Sequence, residues 1–340
     1  MKSSAVIPFF RAYVKSMRLY YSFITGLAGL VGVTYYQYVA HAPGRIALSE
    51  VLRSVERPTP PLQMALILVI LFLAWGINQI VNDWLGLEED RINAPARPMV
   101  TGELHPGLAL LLSAVLMTGA GAVAWFFLEP LSVVALVAGV ALNVVYEYAK
   151  GHGIWGNVVF GVMISCCAAF GFMASGPSEA SILTTARTSM LGFVALINGV
   201  MTFYTYFKDY EGDKAAGKQT LVVRYGLQRS RYASLFAAFL PSVVFVAGYA
   251  AFDAWPIALN GVFLLLAALT VLLQVWTGWL YFRNPRGDVT YYALSFNFRA
   301  CACAEAALIA LFNPTLGILL FFLTYMLVAF LFNFHVNRHG

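Results

Sequence analysis

Ten apolar runs, each about as long as a bilayer needs, follow one another along this chain, and they leave little choice of fold. They lie at 18–40, 62–85, 107–127, 131–149, 155–175, 190–207, 232–251, 256–281, 289–312 and 315–334. A membrane-spanning helix takes roughly 20 mostly apolar residues. The runs are continuously apolar, whereas the strands of a membrane barrel alternate, so helices are expected throughout. With 60% hydrophobic and 11% charged residues over 340 positions, the chain is outside the usual composition of soluble domains. The expectation is one all-α polytopic membrane domain over 1–340.

Charge orients the spans. With the amino terminus placed in the cytoplasm, four of the 21 Lys and Arg residues (Arg45, Arg53, Arg57 and Arg187) fall outside and Arg299 falls within a span. All the others fall inside, the asymmetry of a correctly oriented multi-pass protein. The net charge of +5 is accounted for by these inside loops and gives no reason to expect nucleic-acid binding. Residues 1–17 mix Lys2, Arg11 and Lys15 with Phe9, Phe10 and Tyr13 and read as an interfacial amphipathic segment without a cleavage site.

Several residues in the spans carry two readings. Tyr146 and Tyr148 suit either an aromatic belt or a site. Asn157 and Gly161, four apart, suit either a polar site or a tight helix contact. Arg299 and Glu305 are expected to pair, because charges in hydrocarbon are costly otherwise. Cys166, Cys167, Cys301 and Cys303 have no zinc-site spacing and are expected as small residues at helix contacts.

The acids are distributed unevenly. Eight of the 16 fall in two short cytoplasmic segments: Asp83, Glu88, Glu89, Asp90 and Glu103 in the first, and Asp209, Glu211 and Asp213 in the second. Apart from Asp83, at the end of the run 62–85, these acids lie in loops at 86–105 and 208–230, which Pro95, Pro98, Gly102, Gly212 and Gly217 break up. Asn78, Asn82, Gly86 and Asp90 recur every four residues, and Asp209 and Asp213 lie one helical turn apart, so each set shares a face. Oxygen donors of this kind suit Mg2+ shared with a diphosphate. Lys150, Arg97, Lys208 and Arg224 are placed to neutralise the remaining phosphate charge. Either cluster alone is compatible with a solvated surface; two on one face favour ionisation of an allylic diphosphate, with its tail in an aromatic-rich cavity.

At these residues the chain resembles the UbiA superfamily of intramembrane prenyltransferases. Asn82, Asp83, Gly86 and Asp90, followed by Asn93, Pro95, Arg97 and Pro98, resemble its first motif. Lys208, Asp209 and Asp213, followed by Gly217, Thr220 and Leu221, resemble its second, and Lys150 and Asn157 match residues around its fourth and fifth spans. The resemblance implies nine helices around a central cavity, one fewer than the ten runs, with cytoplasmic cap loops over its mouth. It also implies Mg2+ held by Asn82, Asp90, Asp209 and Asp213, with Asp83 and Glu89 as substitutes. Asn78, Arg97, Lys150, Asn157, Lys208 and Arg224 would bind the diphosphate. Gly86 departs from the pattern, since the family has Asp there, and this bears on its two-metal arrangement. The expected activity is transfer of a prenyl group from its diphosphate to an aromatic or other lipophilic acceptor, in contact with membrane lipid. A terpene cyclase of the same superfamily, which needs no acceptor, and a non-catalytic transporter or lipid-binding protein are the alternatives.

Overall fold

In the computed structural model, residues 6–41, 58–177, 184–251, 257–286 and 289–336 are described. Helix α1 (Val6–Met17) buries Ala12, Tyr13, Ser16 and Met17 and exposes Ile7, Phe10 and Val14 on the opposite side. One face docks on the protein while an apolar stripe is left for the interface. The docked face is fixed by the Tyr13 and Ser113 hydroxyls at 2.7 Å and by Lys15–Glu103 at 3.3 Å. A 3-10 turn at Leu19–Tyr21, entered through Arg18 in the left-handed region (φ 48°), leads into α2 (Ser22–His41).

The long helices follow in sequence: α3 (Pro61–Leu85), then the short α4 (Leu87–Asn93) and α5 (Pro98–Thr101), then α6 (Pro106–Phe127), α7 (Ser132–Ala149), α8 (Ile154–Ala174) and α9 (Thr185–Lys208). Short α10 (Tyr210–Ala215) precedes α11 (Leu221–Ala237), α12 (Leu240–Ala251), α13 (Gly261–Arg283), α14 (Val289–Phe312) and α15 (Pro314–Val336). Two-residue strands β1 (His152–Gly153) and β2 (Gln219–Thr220) pair in parallel.

Among the described residues nine helices are long and apolar enough to cross a membrane, α11 and α12 together making one of them. Helix α2 is a further 20-residue helix whose Thr34, Tyr35, Tyr36 and Gln37 lower its hydropathy. Each of the ten apolar runs, over its described residues, therefore falls mainly on helix, that at 232–251 on two, in an all-α polytopic membrane protein. The expected loop at 208–230 is shorter than the sequence suggests, because α10 and the start of α11 occupy most of it. Gly226 (φ 74°) breaks α11 locally without ending it.

Burial separates inner from lipid-facing helices. The apolar window of α14 is 89% buried and that of α8 67%, against 17% for α6. Lipid is as apolar as a leucine core, so packing in a bilayer depends on backbones coming close through small residues. Helix α14 supplies the run Ala300 to Ala304, which includes the buried Cys301 and Cys303. At Gly161 a Cβ would sit 2.1 Å from the Ala195 carbonyl oxygen, so this glycine is what lets α8 touch α9. Asn157 joins the same contact, donating its amide to the Gly199 carbonyl at 3.0 Å. The tight-contact reading of these two residues is the one that fits.

The intramembrane charges do not pair as expected. The Arg299 guanidinium lies over the rings of Phe296 (4.8 Å) and Tyr325 (4.9 Å), whereas Glu305 accepts the Asn198 amide at 2.8 Å. Six residues along a helix turn side chains to different faces, so each found its own partner.

Candidate active site

The carboxyl ends of α3, α7 and α9 meet at one end of the bundle, together with the turn that carries Arg18. Gly86 closes α3 (φ −94°, ψ 21°) and starts α4, bending the chain so that Asn82 and Asp83 on one helix and Glu89 and Asp90 on the next point into the same region. Pro95 and Pro98 then fix the return loop that delivers Arg97. The β1–β2 pair and the Gln219 N–H donated to the Gly151 carbonyl (3.2 Å) tie the α7–α8 turn to the segment after α10.

Helix α4 packs directly on α10, which brings the two acidic motifs together. The Asn93 side chain is the fastener. Its amide donates to the Asp209 carbonyl (3.1 Å) and its Oδ1 accepts the Gly212 N–H (2.8 Å). A Cβ at Gly212 would lie 2.3 Å from Asn93 Nδ2, so the seat exists only because residue 212 is glycine.

Between the motifs lies a cavity of about 110 Å³. Asn82, Glu89, Asp90, Glu147 and Asp209 face it with oxygen, Arg18, Arg97, Lys150 and Lys208 with positive charge, and Tyr21, Trp75, Tyr146, Phe160 and Met201 with apolar surface. The Tyr21 and Trp75 rings stack at 4.5 Å, and Phe160 meets Trp75 and Tyr146 edge-on. Tyr146 thus turns inward while Tyr148 is exposed, which divides the two aromatic-belt candidates.

Behind this wall the acids are held by cations. Buried Asp83 contacts Arg18 directly, lies 3.4 Å from Arg97 and accepts the Gln79 amide at 2.9 Å. Arg97 also contacts Asp90. Lys150 lies 2.7 Å from Asp213, which is completely buried, and Lys208 lies 3.5 Å from Asp209. Lys218 grips Glu89 at 2.5 Å and contacts Glu147. Breaking such a pair leaves an uncompensated buried charge.

Protonation follows from this packing. Burial raises Asp90 above its ordinary value despite Arg97. Burial likewise pushes Asp213 up to about 7, with Lys150 pulling down and Asp209 pushing up. Asp209 is buried as well, yet Lys208, Lys150 and Arg97 together bring it below its ordinary value. Lys150, although buried, is raised by Asp213 and stays charged. The two carboxyls of the second motif are therefore held apart in acidity, one an anion and one poised to share a proton.

Of the residues singled out from sequence, Asn82, Glu89, Asp90, Arg97, Lys150, Lys208 and Asp209 line the cavity. Asp83 and Asp213 stand behind it, holding Arg18, Arg97 and Lys150. Asn78 borders an adjoining cavity of about 40 Å³ that shares Trp75, Gln79 and Asn82 with the first, and donates to the Ala74 carbonyl at 2.9 Å. Asn157 gives its amide to the α8–α9 contact and does not line the first cavity, while its Oδ1 is buried without a hydrogen-bond partner. Arg224 packs against Gly153, its guanidinium nitrogen 3.3 Å from where a Cβ would stand. Sequence reasoning left out Arg18, Gln79, Glu147 and Lys218. Lys218 and Glu147 had no motif spacing to mark them, while Arg18 could have been suspected as the cation that opens the first apolar run.

Comparison with known proteins gives this arrangement its family. A model of the UbiA prenyltransferase family matches residues 46–296, most of the chain and both motifs. The chain belongs to the UbiA prenyltransferase family. Digeranylgeranylglyceryl phosphate synthase of Thermococcus sibiricus is 25% identical over 243 residues, covering 68% of this chain and 77% of the relative. The protein of the same name from Methanothermobacter thermautotrophicus is 31% identical over 164 residues, covering 48% of this chain and 56% of the relative. Among solved structures, a UbiA homolog from Archaeoglobus fulgidus bound to GPP and Mg2+ superposes with a TM-score of 0.61 at 16% identity, over 91% of this chain and 99% of the homolog. A digeranylgeranylglyceryl phosphate synthase structure gives 0.55 at 19% identity, over 88% and 97%. At these identities the superpositions establish the UbiA fold.

Proposed function

We propose that this UbiA-family protein is a magnesium-dependent prenyltransferase. It ionises a prenyl diphosphate in the cavity between its two acidic motifs and passes the prenyl group to a lipophilic acceptor. The observation that carries the reading is the convergence of both motifs, four cationic side chains and an aromatic floor on one cavity. A surface array of solvated charges has no reason to combine these.

The donor set of the cavity fits the metal. It offers oxygen alone, and Asn82 Oδ1 is buried without a hydrogen-bond partner, so it is a ligand in waiting. Oxygen donors suit Mg2+, which takes one or two carboxylates and completes its shell with water and substrate phosphate. Asn82, Asp90 and Asp209 would hold it. When bound, Mg2+ supplies electrostatic stabilisation of the departing diphosphate.

The protein's own groups do the rest. Arg97, Lys150 and Lys208 face the cavity as fixed positive charges, preorganised by Asp83, Asp213 and Asp209, so little reorganisation is needed as negative charge collects on the leaving group. Tyr21, Trp75, Tyr146 and Phe160 exclude water from the allylic carbon, and their ring faces favour positive charge. The relatives' names, which refer to a digeranylgeranylated glyceryl phosphate, support a lipid alcohol as acceptor over an aromatic one. The charge asymmetry of the loops supports placing this end of the bundle, and the amino terminus, on the cytoplasmic side. The reading treats residues 1–340 as one catalytic domain.

Incubation with Mg2+ and prenyl diphosphates of several lengths, with and without a lipid alcohol or an aromatic acid, tests it. Acceptor-dependent release of diphosphate with a prenylated product is the expected result. A cyclic hydrocarbon formed without acceptor would identify a cyclase, and no diphosphate release under any condition would refute the enzyme reading.

A further inference from the structure

Glu147 belongs to neither acidic motif, yet it faces the cavity beside Gly86. A Cβ at residue 86 would stand 3.2 Å from the Asn82 carbonyl oxygen, 3.4 Å from Glu89 Oε2 and 3.7 Å from Glu147 Oε1. The space a side chain at 86 would enter is thus bordered by two carboxylates, one from α4 three residues on and one from the end of α7. Both close on the same ammonium: Lys218 Nζ is 2.5 Å from Glu89 Oε1 and in contact with Glu147 Oε1. The three side chains are 17%, 8% and 15% exposed for Lys218, Glu89 and Glu147, too little for water to screen the charges as it does on an open surface.

We infer that Glu89, Glu147 and Lys218 form a built-in cation site in the wall of the diphosphate cavity. The Lys218 ammonium occupies the position to which a second divalent ion would otherwise be drawn, so the site takes one divalent ion per diphosphate. The inference rests on the diphosphate reading above. Two carboxylates converging from separate helices make a cation seat, and here the chain fills it itself. The other cavity acids leave material for one ion: Asp90 and Asp209, with Asn82. Lys218 also joins the second-motif loop to α4 and α7, so filling the seat holds the cavity's walls together. Lys218 is a positioning residue that acts through the two glutamates and does not face the cavity.

The test counts metal ions. Full-length protein in detergent is equilibrated with Mn2+ and inorganic pyrophosphate, and bound Mn2+ is obtained from the loss of the free-ion signal in electron paramagnetic resonance. Wild type is expected to bind one Mn2+ per bound pyrophosphate, and Lys218→Arg also one. Lys218→Met empties the seat and is expected to bind two, and adding Glu147→Gln returns the count to one. A merely structural ion pair would lower stability without altering the count. Two ions in the wild type, or one in Lys218→Met, would overturn the inference while leaving the diphosphate site standing. Should Lys218→Met fail to fold, the wild-type count decides. Absence of any Mn2+-dependent pyrophosphate binding would refute the diphosphate site and this inference with it.

Discussion

Substitution of Gly212 by Ala tests how the two motifs are fastened. The new Cβ would arrive 2.3 Å from Asn93 Nδ2 and 2.5 Å from its Cγ, well inside contact distance. Asn93 must then leave its seat, losing the bond to the Asp209 carbonyl (3.1 Å) and the one from the Gly212 N–H (2.8 Å). Two neutral hydrogen bonds contribute about 2 kcal/mol together. If that energy holds α4 against α10 in the binding-competent arrangement, pyrophosphate affinity in the presence of Mg2+ falls by roughly 30-fold, since about 1.4 kcal/mol corresponds to tenfold. Asn93→Ala removes the same bonds by the other partner and predicts a similar loss. In the double variant the clash is gone and no further bond remains to lose, so the effects are expected to be far from additive. Titration calorimetry on the four proteins measures this. Additive losses, or unchanged affinity in Gly212→Ala, would refute the fastener.

Three further outcomes follow from the buried charges. Lys150→Met removes the charge that holds the Asp213 carboxyl down, so at neutral pH that carboxyl takes up a proton and the variant is expected to lose about 1–3 kcal/mol for the buried hydrogen bond; adding Asp213→Asn should cost little further stability and restore none of the turnover. In metal-free protein, Asp213 with a folded pKa of about 7 against an ordinary 3.8 binds its proton more tightly when folded. Its contribution to stability is complete below the ordinary value and is lost as pH rises through 7, so wild type should lose more stability between pH 5 and 8 than Asp213→Asn, as thermal melts would record. Arg18→Met removes the guanidinium in contact with Asp83, and because Asp83 also holds Arg97, pyrophosphate affinity should fall by about tenfold although Arg18 lies in neither motif.

Much of this architecture is legible in the sequence because the bilayer imposes it. Continuous apolar runs of the right length have to be helices, and over their described residues all ten are mainly helical. That Asn82, Asp90, Arg97, Lys208 and Asp209 lie near one another is legible because both clusters sit at helix ends on the same face, next to Pro and Gly. Partnership was not legible. Nothing local says that Lys150 would hold Asp213, that Lys218 would reach Glu147 across 71 residues, or that Arg299 would settle on two aromatic rings instead of Glu305. Asn157 shows the same limit from the other side: its polarity suggested a ligand, and the close approach allowed by Gly161 gave it a backbone carbonyl. The direction of Tyr146 against Tyr148 depends on how α7 is rotated against α8, which neighbouring helices determine.

Asp90 and Asp209 come from separate motifs and meet at one cavity, and Mg2+-dependent pyrophosphate binding to Asp90→Asn, Asp209→Asn and the double variant tests whether they act as one site. Each single substitution should abolish the Mg2+-dependent part of binding, with the double variant no worse than either. Independent, additive losses, or full binding in one single variant, would mean that the two motifs do not hold one metal-bound diphosphate.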